Sequence, residues 1–244
     1  MSAKQAFKSF SQRVGLDIGS HTVKGVEVAE RGSEIVIRSA AAVPIPGVRS
    51  RTDPPDYGSV IQAIKTLWSS AGFQSKAAAM GLSADSVYLK WLHLEAASPE
   101  ELDTTARAAA ARGAPFPPDD VIVDYRVMTS RGRSGRNVHF VLLVAASARV
   151  VDALLNAAES AGLEPIAVDI GAAAALRSID GYRRPTCALW SGQPLAHCIV
   201  GARNTTIAVV RSGELEFART VPVGGSDFTE RIAEHLSVSL SEAE

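Results

Sequence analysis

Short runs of β-branched and apolar residues near the start of the chain alternate with glycine-centred turns. Three such runs cover Val14 to Ile18, Thr22 to Ala29 and Glu34 to Val43. This pattern predicts three consecutive strands, and the tight turns between them make neighbouring strands antiparallel. After a proline-rich loop, apolar residues recur at helical spacing until Gly72. The first unit is therefore predicted to be βββα.

A second pattern begins near Met80 and mixes strand and helix signals. Val87 to Leu94 predicts a strand, and Ser98-Pro99-Glu100-Glu101 predicts the start of a helix, with a serine cap and proline in the first turn. Strands at Val121 to Met128 and Val138 to Ala145 follow as a hairpin, and a helix ends at Gly162. This unit is predicted to be βαββα.

A third pattern repeats the logic of the first. After a strand from Pro165 to Ile170 and a short helix, it predicts three strands and a helix, at Leu195 to Val200, Thr205 to Arg211, Leu215 to Val221 and Ser226 to about Leu236. Two units of this kind indicate an internal duplication. The chain stops soon after the last helix, so we expect the second unit to be truncated.

The composition indicates a folded globular protein and argues against nucleic-acid binding and against membrane-spanning helices. The 244 residues are 46% hydrophobic and 21% charged, which is typical of a folded globular chain. A net charge of −1 offers no broad attraction for nucleic acid. No apolar run approaches the roughly 20 residues that a membrane-spanning helix needs, so we expect a cytoplasmic protein. Cys187 and Cys198 show no metal or disulfide spacing and are expected to be buried free thiols.

The first turn carries the residues with the clearest chemistry. Glycine lets a backbone approach an anion, and consecutive amides and hydroxyl groups can donate to phosphate. A carboxylate can hold a hydrated magnesium ion, and a lysine adds positive charge. The candidate cofactor-binding residues are Asp17, Gly19, Ser20, His21, Thr22 and Lys24, with Asp17 also the candidate metal ligand.

Several segments, in order along almost the whole chain, resemble the type IV pilus assembly protein PilM family. That family is related to FtsA and belongs to the actin, Hsp70 and sugar-kinase superfamily. The segments are Val14 to Ser20 with Lys24, Val26 to Val28, Pro115-Phe116-Pro117, Val123 to Tyr125, Val144 to Ala146, Ala161 to Pro165, Val168-Asp169, Val221 to Gly225 and Phe228-Thr229.

The resemblance implies an α/β, actin-like (ribonuclease H-like) fold with a βββαβ lobe. Residues 14–79 and 164–180 would form the first lobe (1A), after an N-terminal tail at 1–13. Residues 80–163 would form an inserted βαββα subdomain of the 1C type, and 185–244 a partial second lobe (2A).

The same resemblance implies partners and a cofactor. A groove between the first lobe and the 1C subdomain would receive the cytoplasmic tail of a PilN-type membrane protein, which would hold the chain at the cytoplasmic face of the inner membrane. Self-association would also fit the family. ATP with magnesium would lie between two phosphate hairpins, and the second hairpin would contribute Gly201, Thr205, Gly224 and Gly225.

One departure from the family pattern bears on activity. Where the second hairpin of the family has an aspartate, this chain has Ile199, which can neither coordinate magnesium nor orient water. The expected truncation would also remove the contacts to adenosine. We therefore predict a scaffold subunit with weak or lost nucleotide binding and no catalytic residues.

Two alternatives remain open from the residues. The first is an ATP-binding or ATPase member of the same superfamily, working through the first hairpin. The second is the cytoplasmic domain of a GspL-like type II secretion protein, which resembles PilM.

Overall fold

The computed structural model describes residues 12–31, 34–48, 56–83, 86–133, 136–183, 193–211 and 214–244. The predictions for residues 1–11 and for Cys187 lie outside these ranges. Among the described residues, no helix is both long enough and apolar enough to cross a membrane.

Within these ranges the chain forms strands and helices in an interleaved order. The strands are β1 (Arg13–Ile18), β2 (Thr22–Arg31), β3 (Glu34–Pro44), β4 (Ala77–Leu82), β5 (Val87–Ala96), β6 (Val121–Arg133), β7 (Arg136–Ser147), β8 (Glu164–Ile170), β9 (Leu195–Val200), β10 (Thr205–Arg211) and β11 (Glu214–Val221). The helices are α1 (Tyr57–Ala71), α2 (Pro99–Gly113), α3 (Ala148–Ser160), α4 (Gly171–Arg183), α5 (Gly225–Leu236) and α6 (Leu240–Ala243).

The first sheet has the strand order β3-β2-β1-β4-β8. β1 is antiparallel to β2 and parallel to β4, which is in turn parallel to β8. Helices α1 and α3 contact each other, and their buried side chains join one core with those of the sheet. The largest fully buried side chains of this core are Val14, Val23, Ile64, Leu67 and Met80.

Local signals set both limits of α1, and its predicted end at Gly72 is confirmed. The carboxylate of Asp56 accepts a hydrogen bond of 2.9 Å from the amide of Ser59, which satisfies one free donor at the start of the helix. At the other end Gly72 has φ of 66°, a left-handed conformation that favours glycine.

Strand β4 was not predicted from the sequence. Its residues, Ala-Ala-Ala-Met-Gly-Leu, include no β-branched residue. The strand forms because it lies between β1 and β8, where both of its edges are paired and Ala78 and Met80 are buried. Tertiary pairing therefore overrides weak local propensity here.

The second sheet has the order β5-β7-β6, and α2 contacts all three of its strands. Ser98 accepts a hydrogen bond from the amide of Glu101, and Glu101 accepts one from the amide of Ala97, so the predicted helix start is confirmed. The elements β5, α2, β6, β7 and α3 follow the predicted βαββα order.

The third sheet has the order β11-β10-β9 and repeats the arrangement of β3, β2 and β1. The predicted strands and α5 are all present. One detail of the sequence analysis was wrong: Cys198 is exposed. It lies on β9, where alternate residues face away from the protein, and β9 pairs only with β10 among the described strands.

Two buried carboxylates each accept hydrogen bonds from a neighbouring element of the chain. One is on the first sheet and the other precedes a strand of the second sheet. Glu27 on β2 is 1% exposed and accepts hydrogen bonds of 2.9 and 2.8 Å from the amides of Gln74 and Ser75, in the segment between α1 and β4. Asp120, just before β6, accepts bonds from the Ser147 hydroxyl and the Arg149 amide at the start of α3. The Ser147 hydroxyl is the larger cause that lowers the pKa of Asp120.

Candidate functional site

The turn between β1 and β2 is compact, with four residues, 19–22, between the paired residues Ile18 and Val23. Ile18 pairs with Val23, and the amide of Gly19 donates a 3.1 Å hydrogen bond to the carbonyl of Thr22. A Cβ atom at Gly19 would lie 2.9 Å from that carbonyl oxygen, so the position requires glycine. The loop is thus a tight hairpin whose tip carries Ser20 and His21.

The two charged residues predicted for the first hairpin face each other across the strands. Asp17 is opposite Lys24 in the β1–β2 register, and their side chains form an exposed ion pair of 3.1 Å. A magnesium ion at Asp17 would have to compete with this lysine. The structure therefore brings the predicted metal ligand and the predicted phosphate-binding cation together, as partners of each other.

His21 is held at the tip of the loop by its backbone. Its carbonyl accepts a 2.8 Å hydrogen bond from the amide of Ile45, which fixes the loop against the end of β3. Its ring atom Nδ1 is buried and has no hydrogen-bond partner among the described residues. Buried polar atoms are normally paired, so this nitrogen is a candidate contact for a bound group.

The turn between β9 and β10 has the same geometry. Val200 pairs with Thr205, and the amide of Gly201 donates a 2.8 Å hydrogen bond to the carbonyl of Asn204. A Cβ atom at Gly201 would lie 3.0 Å from that oxygen. The two loops therefore correspond residue by residue, which agrees with the internal duplication that the sequence indicates.

This correspondence shows where Ile199, which replaces the aspartate of the family pattern, lies in the second hairpin. In the second hairpin, Ile199 lies opposite Thr206, where the first hairpin has Asp17 opposite Lys24. The second hairpin thus lacks both charges at this position. Arg203 corresponds to His21, and its buried Nε also has no partner among the described residues.

Gly224 and Gly225 lie against the second hairpin. The amide of Gly225 donates to the carbonyl of Gly201, and the amide of Ser226 donates to the carbonyl of Ala202, at 2.8 and 2.9 Å. The amide of Gly224 donates to the carboxylate of Asp227 at 2.8 Å. These first amides of α5 are therefore engaged by the protein itself, although helix N-termini often bind phosphate.

Asp169, near the end of β8, is paired with residues of β8 and α4. Its carboxylate accepts from its neighbour, the amide of Ile170, and forms an ion pair with Arg177 on α4.

A cleft of about 550 Å³ lies between elements of all three sheets. One wall is the start of β5, another is Ile170 at the end of β8, and the third comes from the turn before β10 and from the end of β11. Its lining residues are Val87, Tyr88, Leu89, Ile170, Asn204, Ala218, Arg219, Thr220 and Pro222. Sequence reasoning named a groove at the first lobe and the 1C subdomain but none of these residues, because the cleft joins positions far apart in the chain.

Comparison with known proteins decides the family. A family model described as type IV pilus assembly protein PilM matches residues 15–244. The chain belongs to the PilM family. A solved structure of the PilM-PilN type IV pilus biogenesis complex matches with a TM-score of 0.79 and 27% identity, over 95% of this chain and 67% of that chain. The predicted family and the predicted actin-like α/β fold are confirmed.

Two further solved structures share the fold. The ethanolamine utilization protein EutJ from Carboxydothermus hydrogenoformans has a TM-score of 0.53 at 18% identity, over 97% of this chain and 61% of its own. The cytoplasmic domain of EpsL, an inner-membrane component of the Vibrio cholerae type II secretion system, has a TM-score of 0.51 at 9% identity, over 94% of this chain and 76% of its own. At these identities the likeness shows the fold alone.

Proposed function

We propose that this PilM-family protein is a cytoplasmic scaffold of the type IV pilus assembly platform, and that it binds the cytoplasmic tail of a PilN-type membrane protein. The observation that carries this proposal is the match to the PilM-PilN complex across 95% of the chain. Binding to that tail would hold the protein at the cytoplasmic face of the inner membrane.

The cleft between β5, β8 and the second lobe is the site we assign to the tail. It is bordered by the first lobe and by the β5-β7-β6 sheet, the two parts that the sequence analysis expects to form the groove. Val87, Leu89 and Ile170 supply apolar surface, and apolar pockets with a few polar groups are typical of binding sites. Arg219 adds one exposed cation to the lining.

Nucleotide binding is proposed to be weak, and hydrolysis absent. The first hairpin fits a phosphate group, since it combines a glycine turn with Lys24 and hydroxyl residues. The second hairpin fits magnesium poorly, because Ile199 replaces a carboxylate and the first amides of α5 already bind loop carbonyls. A site with one of two carboxylates holds a metal ion less firmly and does not position the attacking water.

A titration with a synthetic peptide tests the proposal. The peptide carries the N-terminal cytoplasmic sequence of the PilN-type protein from the same organism, and isothermal calorimetry measures its affinity for the wild-type protein and for Leu89→Asp. The variant places a charge in the apolar wall, so we expect the affinity to fall by about tenfold or more. Val138→Asp is the matched control, since Val138 is exposed on the same sheet and lies outside the cleft.

A second pair of variants tests the opposite wall. Pro222 lines the cleft, and its neighbour Val223 is exposed but does not. Pro222→Arg should lower the affinity for the peptide, whereas Val223→Arg should leave this affinity unchanged. Equal effects within each pair, or no binding by the wild-type protein at high micromolar peptide, would contradict the proposal.

ATP binding with turnover is the second candidate function, favoured by the geometry of the first hairpin. Its test is magnesium-dependent release of phosphate from ATP by the wild-type protein and by Asp17→Ala. Turnover that this substitution abolishes would replace the scaffold proposal with an enzymatic one. We expect neither protein to release phosphate above background.

A further inference from the structure

Unpaired, buried side-chain nitrogen atoms occur at corresponding positions of the two hairpins. Within the part of the chain that the structure describes, three buried side-chain polar atoms have no hydrogen-bond partner: Nδ1 of His21, Nε1 of Trp91 and Nε of Arg203. His21 lies two residues after Gly19, and Arg203 lies two residues after Gly201, in turns of the same geometry. Buried polar atoms are normally paired, so an exception that recurs in both turns indicates a shared cause.

Each turn is fixed by backbone hydrogen bonds to a neighbouring element. The amide of Ile45 donates to the carbonyl of His21 at 2.8 Å. In the second hairpin, the amide of Ser226 on α5 donates at 2.9 Å to the carbonyl of Ala202, the residue before Arg203. A turn held in this way needs little ordering when a ligand binds, which lowers the entropic cost of binding.

The charges of the two turns suit an anion better than a magnesium ion. Asp17 is neutralised by its ion pair with Lys24, and Ile199 at the corresponding position carries no charge. Arg203 forms no ion pair with a carboxylate of the described residues. Its positive charge is therefore not neutralised by the described part of the chain, and it can attract a phosphate group without a metal ion.

Both turns lie at the same edge of the first sheet. Strands β1, β4 and β8 are parallel, so the turn after Ile18 and the end of β8 at Ile170 project from one edge. Neighbouring strands are about 4.8 Å apart, which separates these two points by about 10 Å. Asn204, the residue after Arg203, lines the cleft together with Ile170. The cleft thus brings the second turn to the edge from which the first turn projects.

We propose that the two turns bind a polyphosphate anion, of the kind that a nucleoside triphosphate carries, without a magnesium ion. Arg203 donates from Nε and from a terminal nitrogen to phosphate oxygens, an arrangement that suits the planar guanidinium group. His21 donates from Nδ1, in the ring form that carries a proton there. This inference deepens the proposal of weak nucleotide binding, because it assigns the charge that attracts the phosphates to Arg203. It does not depend on the scaffold role.

NMR of the wild-type protein tests the contact directly. Sodium tripolyphosphate and ATP are each titrated in buffer that contains EDTA, and nitrogen-15 spectra follow the Nε–H group of each arginine. We expect both anions to shift the resonance of Arg203. The resonance of Arg211, whose Nε donates to Glu216 at 2.7 Å, is the internal control and should not move. An Arg203 resonance that is unchanged at about 10 mM of either anion would overturn the inference.

The two anions separate the possible sources of recognition. Tripolyphosphate carries the phosphate groups alone, whereas ATP adds a nucleoside. A shift of the Arg203 resonance with tripolyphosphate supports recognition of the phosphates. A shift with ATP alone would show that the nucleoside is recognised, and would overturn the assignment. A shift that requires magnesium would overturn the metal-free site.

Paired substitutions measure the contribution of the charge. Arg203→Gln removes a positive charge from the second turn, and Arg211→Gln removes one from the far end of β10. In calorimetry with tripolyphosphate and EDTA, we expect Arg203→Gln to lower the affinity by about tenfold or more and Arg211→Gln by less than about twofold. Equal losses would indicate a general charge effect and would overturn the inference.

These outcomes are distinct from a failure of the proposed function. ATP binding that Arg203→Gln leaves unchanged would overturn the role of Arg203 and leave weak nucleotide binding standing. If neither anion binds the wild-type protein, the anion site and nucleotide binding are both overturned. The titration with the PilN-type tail peptide decides the scaffold role in either case.

Discussion

Ile199 occupies in β9 the register position that Asp17 occupies in β1. Asp17 forms an ion pair with Lys24 across its hairpin, whereas Ile199 lies opposite Thr206 in a turn of the same geometry. The two hairpins therefore share a backbone geometry but not the charges of Asp17 and Lys24. This asymmetry is what the proposal of weak nucleotide binding rests on.

A carboxylate at position 199 in the second hairpin should make the affinity for ATP depend on magnesium. In Ile199→Asp, a magnesium ion would gain a second acidic ligand, so we expect ATP to bind about tenfold more tightly with magnesium than with EDTA. The wild-type protein should show similar ATP affinities in the two buffers. Fluorescence titration with a labelled ATP analogue measures both. Ile199→Asn is the control for shape, and an equal gain in that variant would argue against a metal effect.

A side chain at Gly224 should separate α5 from the second hairpin. A Cβ atom there would lie 2.5 Å from the carbonyl oxygen of Ala202 and 2.6 Å from that of Gly201, and backbone atoms cannot easily move. We expect Gly224→Ala to lower the free energy of unfolding by about 1–3 kcal/mol, as overpacking does. Urea denaturation measures this change.

The adjacent glycine provides the control for that experiment. A Cβ atom at Gly225 would lie 3.7 Å from the nearest backbone oxygen, an ordinary contact. Gly225→Ala should therefore change the free energy of unfolding by about 0.5 kcal/mol or less. A larger loss in Gly225→Ala than in Gly224→Ala would refute the steric explanation.

The buried carboxylate of Glu27 should stabilise the fold more than an apolar side chain at the same position would. In Glu27→Leu, the amides of Gln74 and Ser75 lose their acceptor, and each buried unpaired donor costs about 1–3 kcal/mol. Glu27→Gln retains a carbonyl oxygen that can accept both bonds, so its loss should be smaller. Thermal unfolding measures the stability of the two variants. Equal stability would show that the hydrogen bonds to Gln74 and Ser75 contribute little.

Stability should depend on the ionisation of Asp120. Its hydrogen bonds from Ser147 and Arg149 lower its pKa in the folded protein below the ordinary value of 3.8. The resulting stabilisation is complete above pH 3.8 and is lost as the pH falls through the lowered pKa. The wild-type protein should therefore be more stable than Asp120→Asn at neutral pH, and this difference should shrink at strongly acidic pH. A difference that does not change with pH would contradict the assignment.

Elements with local signals could be predicted from the sequence. Gly72 and Ser98 mark helix ends through backbone conformation and capping, both of which depend on a few neighbouring residues. The two hairpins could be recognised for the same reason, and so could the absence of a carboxylate at Ile199. The family resemblance then supplied the fold.

Features that depend on strand order could not be predicted. β4 is made mostly of alanine and forms because two strands flank it, and the exposure of Cys198 follows from its place on β9. The cleft unites Leu89, Ile170 and Arg219, whose separation along the chain gives no signal of contact.

Calorimetric titration of the wild-type protein with the PilN-type tail peptide, in buffer that contains EDTA and no nucleotide, tests the central claim most directly. The account predicts saturable binding with one peptide per protein, and the same affinity after ATP and magnesium are added. Binding that appears only with ATP and magnesium, or no saturable heat under either condition, would contradict it.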